Sequence, residues 1–412
     1  MYGTASQSPG CASPLRAWSA AVSLAVAVFA VTTTEMLPIG LLPTMASELG
    51  VSEGTAGLSV TIYGIVAGLL APAMTSRTRR CDRRVLLLVI LGVFVVGNAA
   101  TAMVNSFPVL LLVRLAIGVF HGLLWSMVAA VGIRLVPPKS AARVTAVVLS
   151  GISLALVLGV PAGTLLGSLV GWRGAFAVLA VFTALAACAV FVLLPTLEPS
   201  NSTPVRMWRV PSLGNGIGGI LCVTGLVVVG NYAAYTFIAP FLVGELGIRS
   251  ESVGIYLLAY GVAGVIGNAG ASVLVGRVGP QRNGLLIGTA ALTSSLVLLT
   301  LPLGAILPGP VIAMWGLSYS ALPVLLQLAV FAAAPHAREA ATSLYVLVFN
   351  VSIAVGSLVG AVSIDAASAA APIGAGAVVC GLSVLYLAVH GARNRRQVRS
   401  TPKDDDSRDV QH

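Results

Sequence analysis

Charge is what this chain has least of. Only 9% of its 412 residues are Asp, Glu, Lys or Arg, against 57% hydrophobic, whereas soluble globular domains carry roughly 25% charged residues. That balance excludes a water-soluble fold. The five cysteines, Cys11, Cys81, Cys188, Cys222 and Cys380, show no paired spacing, so neither a disulfide framework nor a metal site is expected. No Ser/His/Asp, paired-Asp or His/Glu metal spacing occurs within the apolar runs, which argues against an enzyme and leaves no cofactor to expect. No positive charge precedes Arg16, and the apolar run after it is too long for a signal peptide, so it reads as the first span. A net charge of +10 would point to nucleic acid in a soluble chain. Here the basic residues crowd one side of a membrane instead, and no nucleic-acid partner is expected.

What the chain does have is long apolar runs, at about 18–45, 55–75, 84–104, 108–134, 143–169, 174–195, 214–242, 253–276, 283–303, 308–334, 340–364 and 370–391. Each is long enough, at roughly 20 residues, to cross a bilayer as a helix. The expected fold is an all-α membrane protein, twelve transmembrane helices in two pseudo-symmetric six-helix bundles. Residues 1–17 form an N-terminal tail, 18–196 the first bundle, 197–213 a linker, 214–391 the second bundle and 392–412 a C-terminal tail. Lysines and arginines mark the cytoplasmic side of a membrane protein. Placing Arg16 inside puts nearly all the others there too. Arg173 and Arg249 alone fall outside, and Arg114 lies within a span. Both termini, the linker and the lipid-embedded chain are therefore expected in a bacterial-type plasma (inner) membrane, multi-pass, with both tails cytoplasmic.

The halves repeat. LLPTMASELGVSEGTAGL lies over IAPFLVGELGIRSESVGI at a shift of 197 residues, Pro43 over Pro240. Pro43, Glu48, Leu49, Gly50, Gly57, Tyr63 and Gly64 then coincide with Pro240, Glu245, Leu246, Gly247, Gly254, Tyr260 and Gly261. Parallel repeats of this kind are a transporter architecture with the binding site between the halves.

Among the 13 acidic residues only Glu35 falls well inside a span. An ionised carboxylate in hydrocarbon costs roughly 2.5–3.5 kcal/mol even on the lenient insertion scale. It must face water, a partner or a protonation event, and a permanently hydrogen-bonded packing role is the alternative. In the fourth span Arg114, Gly118, His121 and Trp125 share one helix face. Counting at 1.5 Å per residue, Glu35 lies about 20 Å from the outer end of its span and His121 about 22 Å. A carboxyl and an imidazole at matched height can exchange a proton near neutral pH. Arg114, about 12 Å in, is a fixed cation, with a structural ion pair or a carbonyl cap as its alternative role. Glu35, His121 and Arg114 are the expected proton-coupling residues.

At the 197 offset Tyr232 stands where Glu35 stands, so the second half has no matching carboxylate. Asn231, Tyr232 and Tyr235 in the seventh span, with Trp315, Tyr319 and Gln327 in the tenth, offer hydroxyls, amides and aromatic faces without charge. With Trp125 and Asn350 they form the expected binding set for an uncharged polar or amphipathic small molecule. Interfacial anchoring or helix packing is the alternative for each. In GISLALVLGVPAGTLLG, Gly159, Pro161 and Gly163 are expected to allow close helix approach and bending.

The segments TTTEMLPIGLLP, RLAIGVFHGLLWS, VLGVPAGTLLG, NYAAYTFIAPF, WGLSYSALPVLLQ and LVFNVSIAVGSLVGA together resemble the major facilitator superfamily (MFS fold). The resemblance is to its twelve-span drug:proton antiporters, most closely the sugar efflux transporter branch, over about residues 16 to 390. The loop motif of that family is matched at Arg80, Arg83 and Arg84, with Thr75 in place of its first glycine, Arg79 in place of its aspartate and Asp82 in place of its second glycine. Asp82 is the acid available to substitute in the cytoplasmic latch the motif implies. Gly159, Pro161 and Gly163 match the antiporter motif. The resemblance implies alternating access, a monomer, and proton-coupled efflux of small uncharged molecules such as sugars. Export of hydrophobic or chloramphenicol-type drugs is the alternative, and a non-transporting membrane sensor on the same fold is the second.

Overall fold

The structure, a computed structural model, describes residues 14–78, 80–197, 216–278, 281–302, 308–334 and 338–400. The expected linker beyond Leu197, residues 1–13 and residues 401–412 lie outside the described residues. The first half contains α1 (Pro14–Leu49), α2 (Glu53–Arg77), α3 (Arg83–Met103), α4 (Phe107–Ile133), α5 (Ala141–Leu154) and α6 (Val160–Leu193). The second contains α7 (Ile217–Tyr235), α8 (Ile238–Pro240), α9 (Val253–Val278), α10 (Gln281–Leu299), α11 (Pro308–Ala333), α12 (Arg338–Ala366) and α13 (Ala371–Ser400).

Among the described residues, ten helical stretches are long and apolar enough to cross a membrane. One of them, Arg143–Leu193, has 51 residues, which would span about 77 Å if straight against a hydrocarbon core of about 30 Å. It breaks at Gly171, where φ is 78°, a left-handed backbone that glycine tolerates without strain, so it crosses twice. The shorter apolar helix Asn283–Leu299 completes twelve crossings. Large apolar side chains such as Val96, Leu112, Leu169, Val181, Leu185, Ile266, Val362 and Leu385 are exposed. In water such a belt would aggregate, and in lipid it is the favoured surface. This is a multi-pass integral membrane protein. α1 starts before residue 18 and α13 continues past 391, because a helix has no need to stop at the membrane surface.

Small residues set how the first half packs. A methyl added at Gly151 would meet Ala25 O at 2.3 Å, at Gly159 Thr33 Oγ1 at 2.2 Å, at Gly163 Leu37 at 2.5 Å and at Gly167 Leu41 at 2.3 Å. On α1 those contacts step mostly by four residues, one side of a helix. α5, the π turn Ala155–Gly159 and the start of α6 thus lie directly against α1, and Glu35 points away from them. Pro161 follows the π turn, where it lacks the N–H a straight helix would use.

The two ends of the bundle are built differently. At the arginine-rich end, Asp82 caps α3 by accepting from Arg84 N and Val85 N, and also from Leu197 N at 3.1 Å. Arg84 donates to Phe191 O, Arg83 is buried, and Arg80 is exposed in the turn. These Asp82 and Arg84 contacts reach only the first bundle and the first residue of the linker, Leu197. At the opposite end the halves are tied together: Ser52 donates to Asp365 Oδ2 at 2.7 Å and Gly54 N donates to Asp365 Oδ1 at 3.1 Å. Asp365, on α12, therefore sits at the positive N-terminus of α2. Nearby, Ser357 donates to Gly57 O.

Candidate functional site

Glu35 is 7% exposed and His121 is 1% exposed, and Glu35 Oε2 lies 3.5 Å from His121 Nε2. The two matched depths thus meet in one group. Around the imidazole, the Tyr63 hydroxyl of α2 is 2.7 Å from Nδ1, and Trp125 Nε1 donates to Nε2 over 2.7 Å. Tyr63 and Trp125 both meet the imidazole edge-on, and Phe94 of α3 lies 6.4 Å from it between ring centroids. His121 is therefore held from three sides and open to a carboxyl on the fourth.

Arg114 goes to backbone. Pro38 has no N–H, so in α1 the carbonyl of Thr34, four residues earlier, has lost its helical partner. Arg114 Nη1 donates to Thr34 O at 2.9 Å, Nη2 to Glu35 O at 3.2 Å and Nε to Ser59 O at 3.4 Å. Its guanidinium also lies over the Tyr63 ring, 4.8 Å from the centroid. A buried cation of this kind needs its donors occupied. The geometry is that of the carbonyl cap, joining α4 to α1 and α2 around the proline. Asn98 of α3 adds a further tie by donating to Thr34 Oγ1 at 2.9 Å.

The uncharged set divides. Trp315 Nε1 donates to Asn231 Oδ1 at 2.8 Å. Tyr235 stacks on Tyr260 with centroids 4.6 Å apart, and Trp315 meets both rings edge-on. Tyr232 contacts Tyr235 and Tyr319 at 6.3 and 6.2 Å, and lies within electrostatic reach of Glu35. Asn231 Nδ2 and the Tyr319 hydroxyl are buried with no partner of hydrogen-bond geometry. Three expected members lie elsewhere. Gln327 donates to Thr342 Oγ1 of α12, Asn350 donates to Val346 O of its own helix, and Trp125 belongs to the His121 group. Each residue type suits a ligand, but helix rotation turned each to another neighbour.

Sequence reasoning passed over Tyr63, Asn98, Tyr260 and Asp365 as site residues. Tyr63 and Tyr260 carried a signal, since they coincide in the internal repeat. Asn98 was a lone amide in an apolar run, and Asp365 sat one residue beyond its expected span.

Solved structures share this architecture at low identity. A bacterial homologue of the human lysosomal transporter Spinster, inward-facing and unoccupied, matches with a TM-score of 0.70 at 16% identity, covering 94% of this chain and 98% of that one. The nucleoside transporter NupG matches at 0.75 with 13% identity over 92% and 99%. The POT family transporter PepTSo matches at 0.71 with 11% identity over 94% and 99%. The Major Facilitator Superfamily profile matches residues 24–357 and again 220–410. With twelve crossings in a duplicated arrangement and that profile running over most of its length, the chain belongs to the Major Facilitator Superfamily.

Proposed function

We propose that this protein exports small uncharged molecules, most simply sugars or their analogues, in exchange for protons, as in the drug:proton antiporter and sugar efflux branch. The observation that carries this reading is the Glu35–His121 contact of 3.5 Å, a titratable pair inside a membrane bundle and beside the second half. A proton arriving from outside loads the pair as substrate is released there, the halves rock, and the proton is released inside, where substrate takes its turn to bind. One charge crossing 100 mV supplies about 2.3 kcal/mol, enough to concentrate a neutral solute nearly 50-fold. With the arginine-rich end cytoplasmic, Asp365 and Ser52 clamp the outer face, so this conformation reads as closed to the outside.

The second half supports the choice of a neutral substrate. Asn231, Tyr232, Tyr235, Trp315 and Tyr319 recognise by stacking and hydrogen bonding, with no formal charge to pair with an ion. The density of rings favours one second reading, export of amphipathic drugs. Reconstituted protein in vesicles with an imposed proton gradient tests both: sugars should drive proton movement, and amphipathic drugs should compete only under the second reading. Glu35→Gln should insert normally and lose proton-driven efflux; full coupled export by that variant refutes the assignment.

A further inference from the structure

Trp125 holds the imidazole nitrogen that faces Glu35. Its indole nitrogen can only donate, and it donates to His121 Nε2 at 2.7 Å. Nε2 therefore carries no hydrogen here, the ring proton is on Nδ1, and Nδ1 donates to the Tyr63 oxygen at 2.7 Å. Glu35 Oε2 faces the same Nε2 at 3.5 Å. A carboxylate oxygen beside an unprotonated ring nitrogen has no hydrogen to accept, so in this arrangement the carboxyl carries the proton, and the indole N–H on the single Nε2 lone pair keeps that proton off the imidazole.

We propose that Trp125 is the positioning residue that couples the proton to the substrate: its indole docks on His121 only while Nε2 is bare, and a proton on Nε2 ejects it. This rests on the proton-coupled reading above. In the step, the indole N–H leaves the Nε2 lone pair, the O–H bond of Glu35 breaks, an N–H bond forms at His121 Nε2, and a carboxylate is left paired with an imidazolium. Two hydrogens cannot share the space between Nε2 and Nε1, so the indole swings away. Trp125 is half-buried, whereas His121 and Tyr63 are buried. It lies one turn beyond His121, on the α4 face that meets α1 and α2, so it is the group with room to move. On the proposed reading, an indole displaced from His121 alters the wall that the Glu35 pair shares with Tyr232 of the second half, which makes proton and substrate alternatives, as antiport requires. The groups facing His121 are Glu35 from α1, Tyr63 from α2, the apolar Phe94 from α3, and Trp125 with the more distant cation Arg114 from α4.

The test is fluorine NMR on full-length protein labelled with 5-fluorotryptophan in lipid nanodiscs, with position 125 assigned by Trp125→Phe, or by Trp125→Tyr should the first fail to fold. Between about pH 5 and about pH 9 the Trp125 resonance should titrate in one step, while those of buried Trp172 and Trp315 stay fixed. In vesicles, Trp125→Phe should move the half-maximal pH of exchange upward by about one unit, the value of one hydrogen bond to the neutral ring, and should leak protons without substrate. A Trp125 resonance that stays flat across the range overturns the proposal, as does an unchanged pH profile and coupling ratio in the variant. Absence of any proton movement in the wild type would sink the proposed function instead, and the NMR titration would still decide the indole–imidazole switch.

Discussion

Where α1 carries Glu35, α7 carries Tyr232, and where α4 carries His121, α11 carries Tyr319. The first pair follows from the 197 offset. The second follows from the packing, since Gly118 abuts Tyr63 O and Gly316 abuts the repeat-related Tyr260 O, and His121 and Tyr319 each come three residues later. A titratable pair in one half thus stands opposite an aromatic pair in the other, on one inherited scaffold. Duplication preserved the backbone contacts that fix the helices and let the side chains facing the middle diverge. On the proposed reading, one half handles the proton and the other offers neutral surfaces.

The largest effect that would sharpen this comparison is an exchange of roles. Glu35→Gln should abolish proton-driven exchange, a loss on the order of 100-fold or more in line with losing a proton-transfer group. Tyr232→Phe, at the matching position, should leave proton coupling intact and change only apparent substrate affinity. Equal losses in both variants, measured as proton flux per substrate, would break the division of labour. Next in size is Trp315→Phe, which removes the donor to Asn231 Oδ1 and leaves a buried amide oxygen unpaired. Substrate affinity should fall roughly 5- to 30-fold, the equivalent of about 1–2 kcal/mol, with the pH profile unmoved.

Smaller effects test the shared scaffold. A methyl on Gly316 would lie 2.1 Å from Tyr260 O, and one on Gly118 2.9 Å from Tyr63 O. Backbone cannot yield as a flexible side chain can, so both alanine variants should lower the thermal midpoint, by about 1–3 kcal/mol of overpacking, with Gly316→Ala the worse. The reverse order would mean the halves do not pack alike. The least effect is expected from Asp365→Asn, which keeps the shape but weakens the charge at the start of α2, worth about 0.3–1 kcal/mol. It should raise labelling of a cysteine placed at Ser357, beside Gly57, as the clamped end opens more often. No change in labelling would mean the apolar contact between α2 and α12 suffices to close that end.

Much of this was legible before any coordinates. Apolar runs of spanning length, the gap between the runs ending near 169 and starting near 174, and one acid in one run are one-dimensional facts, because a bilayer forces every backbone group to be satisfied within its own helix. The meeting of Glu35 with His121 was legible as a matched depth, since rise per residue is fixed. The partners of each were not. Arg114, read as a coupling cation with a carbonyl cap as the alternative, donates to a carbonyl orphaned by Pro38, and only the approach of α4 to α1 discloses which carbonyl. Gln327 and Asn350 had suitable chemistry, but their helices present them to Thr342 and to Val346 O.

By itself the sequence determined the number of crossings, the duplication, the charge asymmetry and the lone intramembrane acid, because each depends on composition along one segment. The tertiary structure alone decided that one imidazole nitrogen is shared between Trp125 and Glu35, that Tyr63 steadies the other, and that Asp365 closes the end away from the arginines. Those depend on how helices distant in the chain rotate against one another. That rotation is set by glycines meeting backbone across an interface, a relation that periodicity within a single helix does not contain.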